Sequence, residues 1–143
     1  MVKPRVLFLC THNSARSQIA EGFLRALAGE RFEVASAGTE ATRVHPLAIR
    51  AMKEVGIDLS GHTSKTIDAL LGQPWDYVIT VCDSANEQCP VFPTQTTHIH
   101  WSFEDPSRAT GTDEARLDAF RRVRDEISAR IREWLADQER SAP

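Results

Sequence analysis

The residues best suited to chemistry lie in one segment, Cys-Thr-His-Asn-Ser-Ala-Arg-Ser, which runs from Cys10 to Ser17. It stands between a predicted strand and a predicted helix, where a loop can turn its backbone N–H groups inward and the helix N-terminus adds partial positive charge. Arg16 can hold two oxygens of a tetrahedral oxyanion. The same donors are expected to lower the pKa of Cys10, with Ser17 donating to its thiolate. The segment therefore predicts an oxyanion site around a nucleophilic sulfur.

We call this segment the cradle. The residues expected to surround the oxyanion are Thr11, His12, Asn13, Ser14, Ala15, Arg16 and Ser17.

Two further cysteines follow the third predicted strand. Cys82 ends that strand, Cys89 comes seven positions later, and Ser84 and Glu87 between them have capping-box spacing, which predicts a short helix. Seven residues of helix span about 10.5 Å, whereas a disulfide needs Cα atoms closer than about 7 Å. The two cysteines can therefore pair only if the helix unwinds, and a helix of about two turns unwinds at little cost.

Strands and helices alternate along the rest of the chain, which predicts a parallel sheet with right-handed crossovers in one domain, residues 1–143. Sites on such sheets lie beyond the carboxyl ends of the strands. Cys10, Cys82 and the loop after Trp101 should therefore share one sheet edge. The predicted strands are residues 5–9, 32–37, 76–81 and 97–101, and the predicted helices are residues 17–28, 46–55, 66–71 and 112–138.

Composition excludes several classes of partner. The net charge is −3, from 17 basic and 20 acidic residues, so we expect neither nucleic acid nor an anionic membrane as a partner. The N-terminal sequence lacks the apolar core of a signal peptide, and no stretch approaches membrane-spanning length. We therefore expect a cytoplasmic protein, acting as a monomer, whose three cysteines are reduced in the resting state.

The cradle resembles the phosphate-binding loop of the low-molecular-weight tyrosine phosphatases, and Asp105-Pro106 matches the general acid of that family. Phosphatases and thioredoxin-coupled arsenate reductases share both elements. The three cysteines favour the reductases, which the chain resembles in the stretches VLFLCTHNSARSQIAEG, TVCDSANEQCP and FEDPSRATG. The resemblance implies a three-layer α/β/α fold with a four-stranded parallel sheet.

The resemblance also implies a mechanism for arsenic detoxification. Cys10 attacks arsenate, Asp105 protonates the departing oxygen, and Cys82 then attacks Cys10 so that arsenite leaves. Cys89 attacks Cys82, and thioredoxin reduces the resulting Cys82–Cys89 disulfide. These steps are displacement and thiol–disulfide exchange, so no cofactor is expected.

One departure concerns a potassium ion that some of these reductases hold. Lys65 stands where they have an acidic residue, which puts the ion in doubt, and our hypothesis is that its ammonium group takes the place of the cation. The alternative is a solvated lysine at a helix start. The other positions that match their potassium ligands are Asn13, Glu21 and Ser36.

The roles of three histidines allow more than one interpretation. His12 is large for so tight a loop, and it either points outward or tunes Cys10. His98 and His100 share one face of a predicted strand, where ordinary strand histidines are the preferred interpretation over a metal pair.

Two other functions compete with arsenate reduction. A phosphotyrosine phosphatase needs only Cys10, but Ser107-Arg108-Ala109 lacks the aromatic residues that would grip a tyrosyl ring, so a weak side activity is expected. A redox sensor would bind an oxyanion without turnover and signal through Cys82 and Cys89.

Overall fold

A parallel four-stranded sheet forms the centre of the computed structural model, which describes residues 3–40, 42–82 and 95–141. The strand order is β2-β1-β3-β4, and every neighbouring pair is parallel, as predicted. Residues Val6–Leu9 of the central strand β1 are at most 2% exposed. Such a continuous apolar run is typical of a strand covered on both faces. The strands are β1 (Arg5–Cys10), β2 (Glu33–Gly38), β3 (Tyr77–Thr80) and β4 (Thr97–His100).

Three α-helices pack around this sheet in the described part of the chain. Helix α1 (Arg16–Ala28) lies against β1, β2 and the long helix α3 (Asp113–Ser141), and α2 (Pro46–Lys53) packs on α3. Helix α2 ends two residues earlier than predicted, because the Gly56 N–H bonds to the Lys53 carbonyl and Gly56 takes a φ of 81°. That left-handed glycine closes the helix in a Schellman arrangement.

The predicted helix at residues 66–71 is wrong in type. The structure has a single 3-10 turn there, Ile67–Ala69, and a second such turn at Pro106–Arg108. The Ala69 and Leu70 N–H groups bond three residues back, to the Thr66 and Ile67 carbonyls, and so short an element gains little from helix propagation. The predicted helix between Cys82 and Cys89 lies outside the described residues.

The periodicity of α3 identified its buried face correctly. Its centre carries an exception, Arg124, which is only 9% exposed and donates to the Ala51 carbonyl and to Glu54. Arg121 also binds Glu54, at 2.6 Å, so this carboxylate joins α2 to α3. The apolar residues that the pattern placed in the core, all buried, are Leu117, Phe120, Val123, Ile127, Ile131 and Trp134.

No helix in the described ranges combines the length and apolar character needed to cross a membrane.

Glu54→Gln is expected to lower the Tm at neutral pH. Hydrogen bonds from Arg121, followed by those from Arg124, lower the pKa of Glu54 from 4.5 to about 2. A carboxyl group whose pKa is depressed on folding contributes stability above its unfolded pKa, and that contribution is lost as pH falls through its folded pKa. The difference in Tm between wild type and variant, measured by calorimetry, should therefore shrink between pH 4.5 and pH 2.

Glu126→Gln on the exposed face of α3 is the matched control, and it should leave the Tm unchanged. A Glu54→Gln difference that stays constant across this pH range would contradict the assignment.

Candidate functional site

The cradle is fastened to the end of β2 by backbone hydrogen bonds. Thr39 N–H donates to the Cys10 carbonyl (3.2 Å) and Glu40 N–H to the Thr11 carbonyl (2.8 Å). Farther along the loop, His45 N–H donates to the Ser14 carbonyl (2.8 Å). With its carbonyls occupied in this way, the loop is free to turn N–H groups toward a ligand, which is what an anion site requires.

Gly38 makes this close approach possible, although the sequence pattern marked it only as the end of a strand. A Cβ atom at Gly38 would lie 2.6 Å from the Thr11 carbonyl oxygen, 2.7 Å from that of Glu40 and 2.8 Å from the Asn13 backbone nitrogen. All three are backbone atoms, which cannot move aside cheaply. Only the absence of a side chain lets β2 and the cradle meet.

Cys10 is buried, and its Sγ lies 2.8 Å from Ser17 Oγ. Burial raises the pKa of Cys10, and the neighbouring Cys82 raises it further. The hydrogen bonds from Ser17 and the charge of Arg16 lower this pKa but do not outweigh burial. The expected lowering of this pKa is therefore wrong for the protein on its own. The sequence showed the donors correctly, but desolvation depends on packing above the sulfur, which no spacing reveals.

Arg16 and Asp105 meet on one side of the cradle. Arg16 Nη1 donates to the Phe103 carbonyl (3.0 Å), and its Nη2 lies 3.6 Å from Asp105 Oδ2. Asp105 Oδ1 accepts hydrogen bonds from the backbone N–H and the hydroxyl of Ser107. Burial alone would raise the pKa of Asp105, but the Ser107 hydrogen bonds, Arg16 and Arg108 outweigh it, so the pKa lies below its usual value. Asp105 is consequently a carboxylate at neutral pH.

A small concave site opens at this point. It brings together two segments that the sequence separates by about 90 positions, as the shared sheet edge predicted. Its lining residues are Cys10, His12, Ser14, Ala15, Arg16, Asp105 and Ser107.

Thr11, Asn13 and Ser17 have other tasks than lining this site. Asn13 is fully buried with a φ of 50°, and its Nδ2 donates to Ser17 Oγ (2.8 Å) and Ser36 Oγ (2.9 Å). Thr11 Oγ1 lies 3.4 Å from Cys82 Sγ. These side chains brace the cradle and connect it to the second thiol, so we assign them supporting roles, with backbone N–H groups left to contact an oxyanion.

Cys82 is buried beside the cradle, as the topology predicted. Leu9 pairs with Thr80 across β1 and β3, so Cys10, which ends β1, and Cys82, two residues after β3, lie at the same edge of the sheet. Both thiols are free and buried. Cys89 lies outside the described residues.

The potassium-like positions are already saturated by hydrogen bonds. Ser36 Oγ donates to Glu21 Oε1 (2.6 Å), and Glu21 Oε2 is paired with Arg25 Nη1 (2.6 Å). Asn13 Oδ1 accepts from the Gln18 amide and from the Lys65 backbone N–H, while Lys65 Nζ donates to the Thr63 carbonyl. Because Arg25 and N–H groups already bond to the Glu21 and Asn13 side-chain oxygens, these residues do not fit a resident potassium ion. Nor does the described part of the chain hold any group of three His, Cys, Asp or Glu residues suited to a metal.

His12 lies at the rim of the concave site with its ring beside Glu40. Its side chain is half exposed, and Nε2 lies 3.3 Å from Glu40 Oε2. On β4, His100 Nδ1 lies 2.8 Å from Thr80 Oγ1, in agreement with the interpretation as a strand histidine.

The chain is similar to known proteins over nearly its whole length. A sequence model of the family described as low molecular weight phosphotyrosine protein phosphatase matches residues 5–142. The arsenate reductase of Halalkalibacterium halodurans is 51% identical over 132 residues, which are 92% of this chain and 95% of that protein.

Two solved structures share the fold. The thioredoxin-dependent arsenate reductase of Corynebacterium glutamicum has a TM-score of 0.76 at 34% identity, over 98% of this chain and 64% of that chain. A tyrosine phosphatase of Erwinia amylovora has a TM-score of 0.79 at 21% identity, over 95% of this chain and 93% of that chain, and this likeness concerns the fold alone. The predicted fold class, a four-stranded parallel sheet of the low-molecular-weight phosphatase type, is confirmed.

Gly38→Ala is expected to destabilise the protein by about 1–3 kcal/mol, because the added methyl group must push backbone atoms of the cradle apart. Denaturant unfolding measures the loss, and phosphate binding measured by calorimetry should weaken in parallel. Gly61→Ala is the control, since a Cβ there meets nothing within 4 Å. Equal stability and phosphate affinity in the two variants would show that the close approach does not matter.

Potassium should have no specific effect on this chain. With Arg25, the Lys65 N–H and the Gln18 amide on the candidate ligand oxygens, exchanging sodium chloride for potassium chloride at constant ionic strength should change neither the Tm nor any oxyanion affinity. A rise in either that saturates with potassium and is not reproduced by sodium would contradict the fit argued above.

Proposed function

Because the chain belongs to the low molecular weight phosphotyrosine protein phosphatase family and, within it, to the arsenate reductases, we propose that it reduces arsenate to arsenite through a relay of Cys10, Cys82 and Cys89. The family resemblance inferred from the sequence is confirmed. The observation that carries the relay is the placement of two free, buried thiols at one sheet edge, the first in an anion cradle and the second within 3.4 Å of the Thr11 hydroxyl.

The first step joins Cys10 to arsenic. Backbone N–H groups of the cradle and the Arg16 guanidinium hold three arsenate oxygens, and the Cys10 sulfur attacks the arsenic. The departing hydroxyl group leaves as water, and the second proton of that water comes from the Cys10 thiol. No proton from solvent is needed, because the thiol and one arsenate hydroxyl supply both.

The pKa shifts of Cys10 and Asp105 determine where the proton starts. A raised pKa keeps the proton on the thiol and a lowered pKa keeps Asp105 ionised, so transfer between them is unfavourable before the sulfur reacts. The proton becomes acidic as the sulfur bonds to arsenic, and Asp105 then takes it and passes it to the departing oxygen. Ser17, 2.8 Å from the sulfur, donates to the thiolate as its charge develops.

The second step transfers two electrons to arsenic. Cys82 attacks the Cys10 sulfur, the sulfur–arsenic bond breaks, and its electron pair leaves with arsenic, which becomes arsenite. A Cys10–Cys82 disulfide remains. Thr11 can donate to Cys82 Sγ and so stabilise the thiolate that must attack, since a hydrogen bond to a charged sulfur favours that form.

The last steps restore the protein. Cys89 attacks Cys82, which frees the Cys10 thiolate and leaves a Cys82–Cys89 disulfide. Thioredoxin reduces that disulfide in our proposal, and the support is the thioredoxin-dependent relative of Corynebacterium glutamicum. We infer that the protein works as a monomer in the cytoplasm, where a thioredoxin system maintains thiols in reduced form.

A second activity follows from the same cradle. Cys10, Arg16 and Asp105 are sufficient for slow phosphate-monoester hydrolysis, in which no electron is transferred and Cys82 takes no part. The family match supports this side activity. Arsenate-dependent NADPH oxidation in a mixture with thioredoxin and thioredoxin reductase separates the reductase from a phosphatase and from an oxyanion-binding redox sensor.

Cys89→Ser should stop multiple turnover in that assay but release about one equivalent of arsenite per protein, because the first two steps need only Cys10 and Cys82. Cys82→Ser should release none. Arsenite is quantified after a single mixing of reduced protein with arsenate. Normal cycling of Cys89→Ser would rule out the relay, whereas reduction by a glutaredoxin or a small thiol would correct only the reductant.

A further inference from the structure

A second cavity, of about 450 Å³, adjoins the cradle. It lies where the loop after β2 enters α2, opposite the start of α3. Four of its lining residues carry or can carry positive charge, and we name it the cationic pocket after them. They are Arg43, His45, Arg50 and Arg116.

Positive charge exceeds negative charge in this pocket, because three arginines and one carboxylate, that of Asp113, line it. Within residues 3–40, 42–82 and 95–141, no carboxylate lies within ion-pair distance of Arg43 or Arg50. Arg116 has one long contact, 3.9 Å from its Nη1 to Asp113 Oδ1. Because the whole chain has a net charge of −3, this concentration of cations is a local feature. Such a pocket attracts anions even when the protein as a whole does not.

The positive charge of the arginines also acts on His45. Burial lowers the pKa of His45, and the charges of Arg116 and Arg43 lower it further. Its Nδ1 accepts from the Leu47 N–H at the start of α2, so the neutral ring carries its proton on Nε2 and offers it as a donor.

The pocket and the cradle adjoin each other at Ser14. Ser14 lines both, and its carbonyl accepts the His45 N–H (2.8 Å). The Asp105 carboxylate of the cradle also acts electrostatically on His45. A ligand with two anionic groups can therefore occupy both places at once, whereas inorganic arsenate or phosphate needs only the cradle.

We propose that the cationic pocket binds the second anionic group, a carboxylate or a phosphate, of an organic phosphate whose phosphoryl group lies in the cradle. The inference rests on the cradle assigned in the proposed function. It gives the phosphatase side activity a substrate class, phosphomonoesters with a distal anion. Arginine suits this task because its planar guanidinium holds carboxylate and phosphate oxygens in pairs.

The reaction on such a substrate is a hydrolysis. The Cys10 sulfur attacks phosphorus, the bond to the ester oxygen breaks, and that oxygen leaves as an alcohol with the proton that Asp105 has taken from the thiol. Water then attacks the phosphocysteine, which releases inorganic phosphate and restores the thiol. Nothing is oxidised or reduced, and water is the only co-reactant.

Two non-hydrolysable ligands test the proposal directly. Benzylphosphonate and 4-carboxybenzylphosphonate differ only in the distal carboxylate, and calorimetry on the reduced protein gives their dissociation constants. We expect the carboxylate to tighten binding about tenfold, as one charge-assisted contact provides. Phenyl phosphate and 4-carboxyphenyl phosphate should show the same ratio in kcat/KM.

The Arg43→Gln/Arg50→Gln double variant should lose most of the preference for the carboxylated phosphonate, because only His45 and Arg116 of the four named residues remain in the pocket. Arg50→Gln alone should lose part of the preference. Arg132→Gln is the matched control: the Arg132 Nε donates to Ser128 Oγ (3.2 Å) on the surface of α3, and this variant should keep the tenfold ratio. Unfolding curves verify that the variants are folded.

Equal affinity for the two phosphonates in the wild type would overturn the proposal, and so would an undiminished tenfold preference in the double variant. The result is independent of arsenate chemistry. If the wild type shows the tenfold ratio of phosphonate affinities but no arsenate-dependent turnover, only the proposed function is contradicted. If it shows turnover but no such ratio, only this inference is contradicted.

Discussion

The side-chain amide of Asn13 holds the cradle in shape. It is fully buried in a left-handed backbone conformation, and both ends of the amide are satisfied: Nδ2 by two hydroxyl groups, Oδ1 by the Lys65 N–H and the Gln18 amide. A buried amide without such partners would be strongly unfavourable. The network therefore fixes one loop conformation and orients Ser17 toward the reacting sulfur.

Burial of the reacting sulfur has a consequence for how the site handles protons. The packing that excludes water raises the pKa of Cys10, and the contacts of Asp105 lower that of the carboxyl group across the cradle. A protonated nucleophile and an ionised acid look reversed for displacement chemistry. Both shifts oppose proton transfer from the thiol to the carboxylate, so in the proposed reaction that transfer accompanies formation of the bond between sulfur and arsenic.

Charge at the site is organised locally, within a chain that is acidic overall. Arg16 has a backbone carbonyl and Asp105 as partners, and the cations of the neighbouring pocket surround an open volume. At the potassium-like positions no positive charge is in excess. Arg25 pairs with the Glu21 carboxylate, and the Lys65 N–H donates to the side-chain oxygen of Asn13. The cradle thus lies between the cationic pocket, where positive charge is in excess, and the potassium-like positions, where it is paired.

The sequence alone predicted the parallel sheet, the helices α1 and α3 and the cradle with Cys10 and Arg16, because these depend on local spacing and on apolar periodicity, whereas Asp105 was singled out through the family resemblance. Tertiary structure decided what depends on distant neighbours. The need for Gly38 arises from backbone atoms of another segment, and the pKa of Cys10 from the atoms that bury it. The cationic pocket joins residues that lie far apart in sequence, so it exists only in the folded chain, since charge density is a property of distance in space.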